Sequence, residues 1–203
     1  MAGVTGIINY GAGNLGSVMN AVLRLGGNAR FVLGPEELGA KSPYERIIVP
    51  GDGHFATAME KLTETAYAGA LGEWIKADKP FLGICIGLQL LFEWSEEAPG
   101  VGGLGVIAGG VKKFPGRKVP QIGWNQTRAA PSSALFGGLG KNSFFYYIHS
   151  YYAAPGDRSV TAAEAEYYVT YCSAVERGAL AAVQFHPEKS GAAGLALLKN
   201  WMG

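Results

Sequence analysis

Residues 80–94 read PFLGICIGLQLLFEW, and the two glycines flanking the cysteine decide how the chain folds. Phe81 to Ile84 is a short, wholly apolar run, as expected of a strand buried on both faces. Leu88 to Trp94 carries an apolar stripe at helical spacing. Cys85 stands between them, with Gly83 two residues before and Gly87 two after. A strand that turns sharply into a helix crowds its corner, and glycine on either side relieves the crowding. The helix then presents its N-terminus to the cysteine, which favours thiolate over thiol. Without that punctuation a free cysteine reads as a small core residue. Cys172, within Val169–Val175, has no such setting and is read as core.

Outward from this corner, strand-like and helix-like segments alternate. Gly6–Tyr10, Ala29–Leu33 and Arg46–Val49 read as strands. Leu15, Val18, Met19, Val22 and Leu23 recur at helical spacing until Gly26-Gly27, and Leu71, Trp74 and Ile75 mark a helix before Asp78 and Pro80. Such alternation implies βαβ units, with a parallel sheet covered on both faces. Ligands in these sheets bind at the strand C-termini. The second half changes texture. Val106, Val111–Phe114, Val119–Ile122, Phe144–Ile148, Tyr151–Ala153, Tyr167–Ala174 and Leu180–Phe185 are strand-like, and a helical stripe returns only at Leu195, Leu198 and Trp201. The expectation is one α/β domain over residues 1–203. It has a mostly parallel central sheet, an antiparallel extension and a closing helix.

Bulk composition agrees. A chain of 203 residues with 48% hydrophobic content can bury a substantial core. Charged residues make up 16% and the formal net charge is +1, so neither nucleic acid nor an acidic partner is indicated. Two cysteines form no disulfide framework and suit a reducing compartment. No basic-then-apolar leader opens the chain, and no apolar run reaches the ~18–20 residues of a membrane span. A soluble, cytoplasmic protein is expected.

A thiol nucleophile needs a base. Of three histidines, His54, His149 and His186, the last ends the apolar run Ala182–Phe185. Pro187 stiffens the exit, and Glu188 stands two residues on, able to fold back and orient the imidazole. Cys85, His186 and Glu188 thus form a nucleophile–base–orienter set, recognised by roles rather than order. Pro50-Gly51-Asp52-Gly53, after the third strand, offers backbone N–H groups for an oxyanion. No compact ligand cluster of the zinc type occurs, so no metal and no cofactor are expected.

GICIGLQLLF, PGDG and QFHPE, in this order, resemble the class I, triad-type glutamine amidotransferases. IINYGAGNLGSV, FEWSEEAPGVGGLGVIAGGVKKF, VPQIGWN, FFYYIHSYY and AVQFHPEKSG narrow the resemblance to the glutaminase subunits of imidazole glycerol phosphate synthases, over essentially the whole chain. The resemblance implies a flavodoxin-like three-layer α/β/α sandwich. It implies hydrolysis of glutamine to glutamate and ammonia through a glutamyl thioester, and passage of ammonia to a separate (β/α)8-barrel cyclase subunit in a heterodimer. There the ammonia yields imidazole glycerol phosphate and an aminoimidazole carboxamide ribonucleotide, in histidine biosynthesis. It assigns Cys85, His186 and Glu188 as the triad and Gly51, Asp52 and Gly53 to the oxyanion strand. Gln89, His149, Ser150 and Tyr151 are assigned to substrate, and Asn14, Trp124, Tyr146 and Lys189 to the cyclase-facing side. It also implies a weak glutaminase until the cyclase and its ligand are bound.

Asp52 departs from the pattern, which more often has valine there. A carboxylate beside a developing oxyanion would oppose it, so the side chain is expected to point away and leave its backbone to the site. Three other readings compete. Gly11-Ala12-Gly13-Asn14-Leu15-Gly16 fits the dinucleotide fingerprint G-x-G-x-x-G. The acidic residue that should end the second strand is missing, because that strand runs into Leu33-Gly34-Pro35. The remaining alternatives are a similar glutaminase serving another ammonia-using synthase and a degenerate glutaminase-like domain acting only as a binding partner, against which the intact Cys85, His186 and Glu188 set speaks.

Overall fold

The computed structural model describes residues 3–11 and 14–203. Ala12 and Gly13, inside the Gly11–Gly16 run, lie outside the described residues. The first half is built from strands β1 (Val4–Ile8), β2 (Asn28–Val32), β3 (Arg46–Val49) and β4 (Phe81–Ile84), with helices α1 (Leu15–Arg24), α2 (Phe55–Glu64), α3 (Tyr67–Lys76) and the short α4 (Ile86–Gln89). Strands β5 (Phe92–Ser95), β6 (Ile107–Lys113), β7 (Gln121–Ala129), β8 (Asn142–His149), β9 (Tyr151–Pro155), β10 (Thr161–Tyr167), β11 (Val169–Arg177) and β12 (Leu180–Val183) follow, and α5 (Gly191–Met202) ends the fold.

The main sheet has the order β2-β1-β3-β4-β12-β11-β10-β7-β8. Its first five strands run parallel and reproduce the doubly wound order in which the direction of strand addition reverses beside β1. From β11 onward the pairing is antiparallel, as the turn-rich second half requires. Alternation along the strands feeds two cores. Ile8, Ile47, Val49 and Phe81 join α2 and α3 on one face, while Ile7, Ile48, Leu82 and Ile84 join α1 and α5 on the other. This is the three-layer α/β/α arrangement. Helix α1 starts where Asn14 accepts a hydrogen bond from Ser17 N–H, and it ends at Gly26 with φ +79°.

The structure corrects two sequence expectations and adds one helix. The stripe from Leu88 to Trp94 is not one helix, because α4 stops at Gln89 and Phe92–Ser95 is strand β5. The backbone of 103–107 explains this. Gly103, Leu104, Gly105 and Ile107 donate to the carbonyls of Glu93, Leu90, Phe92 and Leu91, so those groups are committed outside a helix. Helix α2 went unread although Phe55, Ala58, Met59 and Leu62 mark its buried face. Tyr167–Ala174 is not continuous either. Tyr168, at φ +61°, turns β10 into β11. Among the described residues no helix is long and apolar enough to cross a membrane.

Candidate active site

Three neighbouring strands, β3, β4 and β12, end side by side and deliver the Pro50–Gly53 turn, Cys85 and His186. Cys85 sits at φ 56°, ψ −105°, a conformation that residues with a β-carbon rarely adopt. Its N–H donates to Val183 O at 2.8 Å, and its carbonyl accepts from Leu88 and Gln89 N–H. The elbow is therefore tied both to β12 and to α4. A β-carbon on Gly87 would press into the Val49 carbonyl, and one on Gly83 into the Gly87 carbonyl. Close approach of backbones is what the two glycines supply.

His186 Nδ1 lies 2.8 Å from Glu188 Oε1, with the imidazole and carboxylate both buried. The Nδ1–H donates to the carboxylate, which leaves Nε2 for other chemistry. Nε2 has no hydrogen-bond partner among the described residues. Burial disfavours the imidazolium, but the adjacent Cys85 and Glu188 side chains outweigh burial and push the His186 pKa up to about 10. The loop is fixed from behind. His186 N–H donates to Tyr146 O, Ser190 Oγ–H donates to His186 O at 2.6 Å, and Tyr146 N–H donates to Ser190 Oγ at 2.9 Å.

Cys85, His186, Gln89, Asp52, Gly53, Ser150 and Tyr151 border one cavity of about 240 Å³. A roomier cavity of about 470 Å³, at the far end of the β7–β8 hairpin, contains neither cysteine nor histidine. Gly51 is buried against Ile86 and the Tyr10 hydroxyl, and Gly53 has φ +92°. Tyr10 donates to Pro50 O at 3.0 Å, holding this turn from below. Burial raises the Tyr10 pKa, and the charges of Asp52 and Cys85 raise it further. Asp52 is exposed, yet its charge reaches the site. Gln89 is buried and donates to Tyr151 O.

His149 differs from a simple substrate ligand. It is buried, with Nδ1 2.8 Å from Tyr151 O and Nε2 3.1 Å from Gln121 Oε1. Burial lowers its pKa to about 4, despite the bond to Tyr151, and the charge of His186 lowers it further. Below pH 6.5 the unfolded chain takes up a proton that the folded chain refuses. The stability from neutral His149 is therefore full above pH 6.5 and is lost as pH falls through about 4. The expected loss is about 3 kcal/mol. Urea midpoints at pH 7 and pH 4 should separate less in His149→Gln than in the natural chain; equal separations would refute this account.

Asn14 caps α1, whose helix packs against the 187–189 turn. Lys189 is exposed on that turn. Trp124 and Tyr146 face each other across β7 and β8, their rings 6.3 Å apart and edge-on. Sequence reasoning missed Tyr10, Glu97, Gln184 and Ser190. Glu97 borders the cavity and accepts from Phe55 N–H at 2.8 Å; the acidic pair Glu96-Glu97 was its only sequence signal. Gln184 and Ser190 were quoted within AVQFHPEKSG, but only distances give them partners.

The family model for glutamine amidotransferase class-I matches residues 7–202. The chain is 48% identical over 200 residues to imidazole glycerol phosphate synthase subunit HisH of Deinococcus radiodurans, covering 96% of this chain and 91% of that one. It is 43% identical over 204 residues to the chloroplastic imidazole glycerol phosphate synthase hisHF of Arabidopsis thaliana, covering 98% of this chain and 34% of that one. A crystal structure of a glutamine amidotransferase matches with TM-score 0.76 at 22% identity, over 98% of this chain and 99% of that one. PurLQS from Thermotoga maritima matches with TM-score 0.76 at 17% identity, over 99% and 98%. At those identities the solved structures establish the flavodoxin-like fold alone. The family model and the curated relatives establish that the chain belongs to the class-I glutamine amidotransferases, in the HisH family of imidazole glycerol phosphate synthase subunits.

Proposed function

We propose that this chain hydrolyses glutamine to glutamate and ammonia through Cys85, His186 and Glu188, and hands the ammonia to a cyclase subunit. The observation that carries the reading is the His186–Glu188 pair beside a strained Cys85 in one cavity. The sulfur attacks the side-chain amide carbon of glutamine. N–H groups of Gly51, Asp52, Gly53 and the first turn of α4 hold the oxyanion. The proton kept on His186 passes to the amide nitrogen, the C–N bond breaks and ammonia leaves. Water then attacks the glutamyl thioester, His186 takes the water's proton, and glutamate departs. Glu97 supplies the negative charge suited to the α-ammonium of glutamine, while Gln89, Ser150 and Tyr151 line the rest of its path.

The partner reading rests on the outer face of β7–β8. Ile122, Trp124, Phe144 and Ile148 are exposed by 61%, 57%, 54% and 41%, and they share one face with Tyr146. A contiguous apolar patch of this kind marks a protein-binding surface. It adjoins the chemistry, since Ile148 O faces the Cys85 sulfur and Tyr146 O holds the His186 backbone. The Arabidopsis relative carries the matching region within a longer polypeptide, which supports a second catalytic unit working beside this one. A second unit seated there would cover the route by which ammonia leaves.

A glutamine-analogue diazoketone should label Cys85 and spare Cys172. Peptide mass spectrometry reads the adduct, and excess glutamine should suppress it. Labelling confined to other residues would refute the nucleophile and the substrate class together.

A further inference from the structure

Gln184 follows β12, is wholly buried, and has no duty in the mechanism above. A buried amide is costly unless its groups are paired, so its partners show what it does. Its Nε2 lies 3.7 Å from Cys85 Sγ, and its Oε1 lies 3.1 Å from Gln89 Nε2. The direction of this chain of bonds is fixed. The Tyr151 carbonyl only accepts, so Gln89 turns Nε2 toward it, at 3.1 Å. The second hydrogen on that nitrogen goes to Gln184 Oε1. With its oxygen so committed, Gln184 has only N–H to present to sulfur. One backbone carbonyl thereby orients two side-chain amides in series.

We infer that Gln184 is a further catalytic residue, whose amide N–H stabilises the Cys85 thiolate, and that Gln89 is the positioning residue behind it. The inference rests on the reading of Cys85 as nucleophile. Hydrogen bonds to a charged acceptor are stronger than those to a neutral one, so an N–H aimed at sulfur favours the thiolate. A second polar neighbour of the sulfur acts oppositely. Ile148 O, at 4.0 Å, only accepts, and so favours the protonated thiol. His186 after β12 and Asp52 after β3 also act on this corner through charge, Tyr10 after β1 presents a hydroxyl that burial keeps neutral, and Glu97 and His149 border the same cavity. All of these carry ionisable groups. Gln184 is an uncharged donor whose contribution is the same at every pH. Its backbone is anchored by donation to Ser173 O at 2.8 Å, so the amide is held from both ends.

The test is the pH dependence of iodoacetamide alkylation at Cys85 in the full chain, read by mass spectrometry of the Cys85 peptide. Gln184→Glu keeps an acceptor for Gln89 but turns an oxygen toward sulfur. Gln184→Met removes the donor at similar volume. Both should move the alkylation midpoint up, by about one pH unit for Met, with roughly tenfold less reactive thiolate at neutral pH. Glu should move it further. Gln89→Met, which leaves the Gln184 amide in place but unoriented, should move it the same way by less, and it keeps the test decisive if a Gln184 variant does not fold. Folded variants with the natural midpoint would overturn the role of Gln184. Failure of the diazoketone to label Cys85 in the natural chain would instead overturn the reading beneath it.

Discussion

Cys85→Ala is expected to lower glutamine hydrolysis roughly 10⁴-fold or more, the scale seen when the nucleophile of a triad is removed. The fold should survive. Alanine carries the same β-carbon as cysteine, so the strain at φ 56° is unchanged and only one buried sulfur is lost. A cavity of that size costs about 1 kcal/mol, or a few degrees in Tm for a chain of this length. The decisive pair of measurements is ammonia release, with the partner subunit present, and thermal unfolding of the same preparation. Turnover within tenfold of the natural chain would remove Cys85 from the mechanism. Loss of activity together with loss of the fold would mean that the sulfur is a packing element instead.

Gly87→Ala is expected to have a large effect on stability. The added methyl meets the Val49 carbonyl, a backbone group on a strand flanked by β1 and β4. A side chain could rotate away; this oxygen cannot. Overpacking costs typically about 1–3 kcal/mol, and a rigid neighbour places this variant at the upper end. Tm should fall by about 10 °C. The displacement should also reach activity, since β3 leads into the Pro50–Gly53 turn and α4 carries Cys85. Gly16→Ala is the control. Gly16 lies in α1, where a β-carbon meets nothing within 4 Å among the described residues, so that variant should be neutral or slightly stabilising. Equal unfolding temperatures for the two variants would show that the elbow tolerates the methyl.

The fold was legible where the pattern is local. Arg46–Val49 and Phe81–Ile84 are bounded in the structure as the apolar runs suggest. The flanking glycines of Cys85 announced a backbone constraint that the Val49 and Gly87 carbonyls now account for. Legibility ended where distant backbone decides. Leu90 to Glu93 keep a helical stripe, but the 103–107 segment takes their carbonyls, and no local signal carries that competition. The site divides in the same way. Cys85, His186 and Glu188 stand in short motifs, so residue type and spacing expose them. Gln184 sits one residue after β12 and reads as core; its bond to sulfur depends on a Gln89 amide set by Tyr151. The resemblance assigns His149 to substrate together with Ser150 and Tyr151; the residue borders the cavity, and the ring bonds to Gln121 and Tyr171 that hold it there are visible only in the structure.

The main sheet ends at β8, an eight-residue strand whose outer side has no neighbouring strand in the main order. An open sheet margin with exposed aromatic and aliphatic side chains is a template for pairing with other chains. The loop that carries His186 lies along that margin. Both backbone groups of Tyr146 are engaged by it, one by His186 N–H and the other by Ser190 Oγ. The segment that positions the base therefore also occupies part of the sheet's open margin, at Tyr146. Changes in this loop are constrained twice, once by the chemistry of His186 and once by the strand margin it covers.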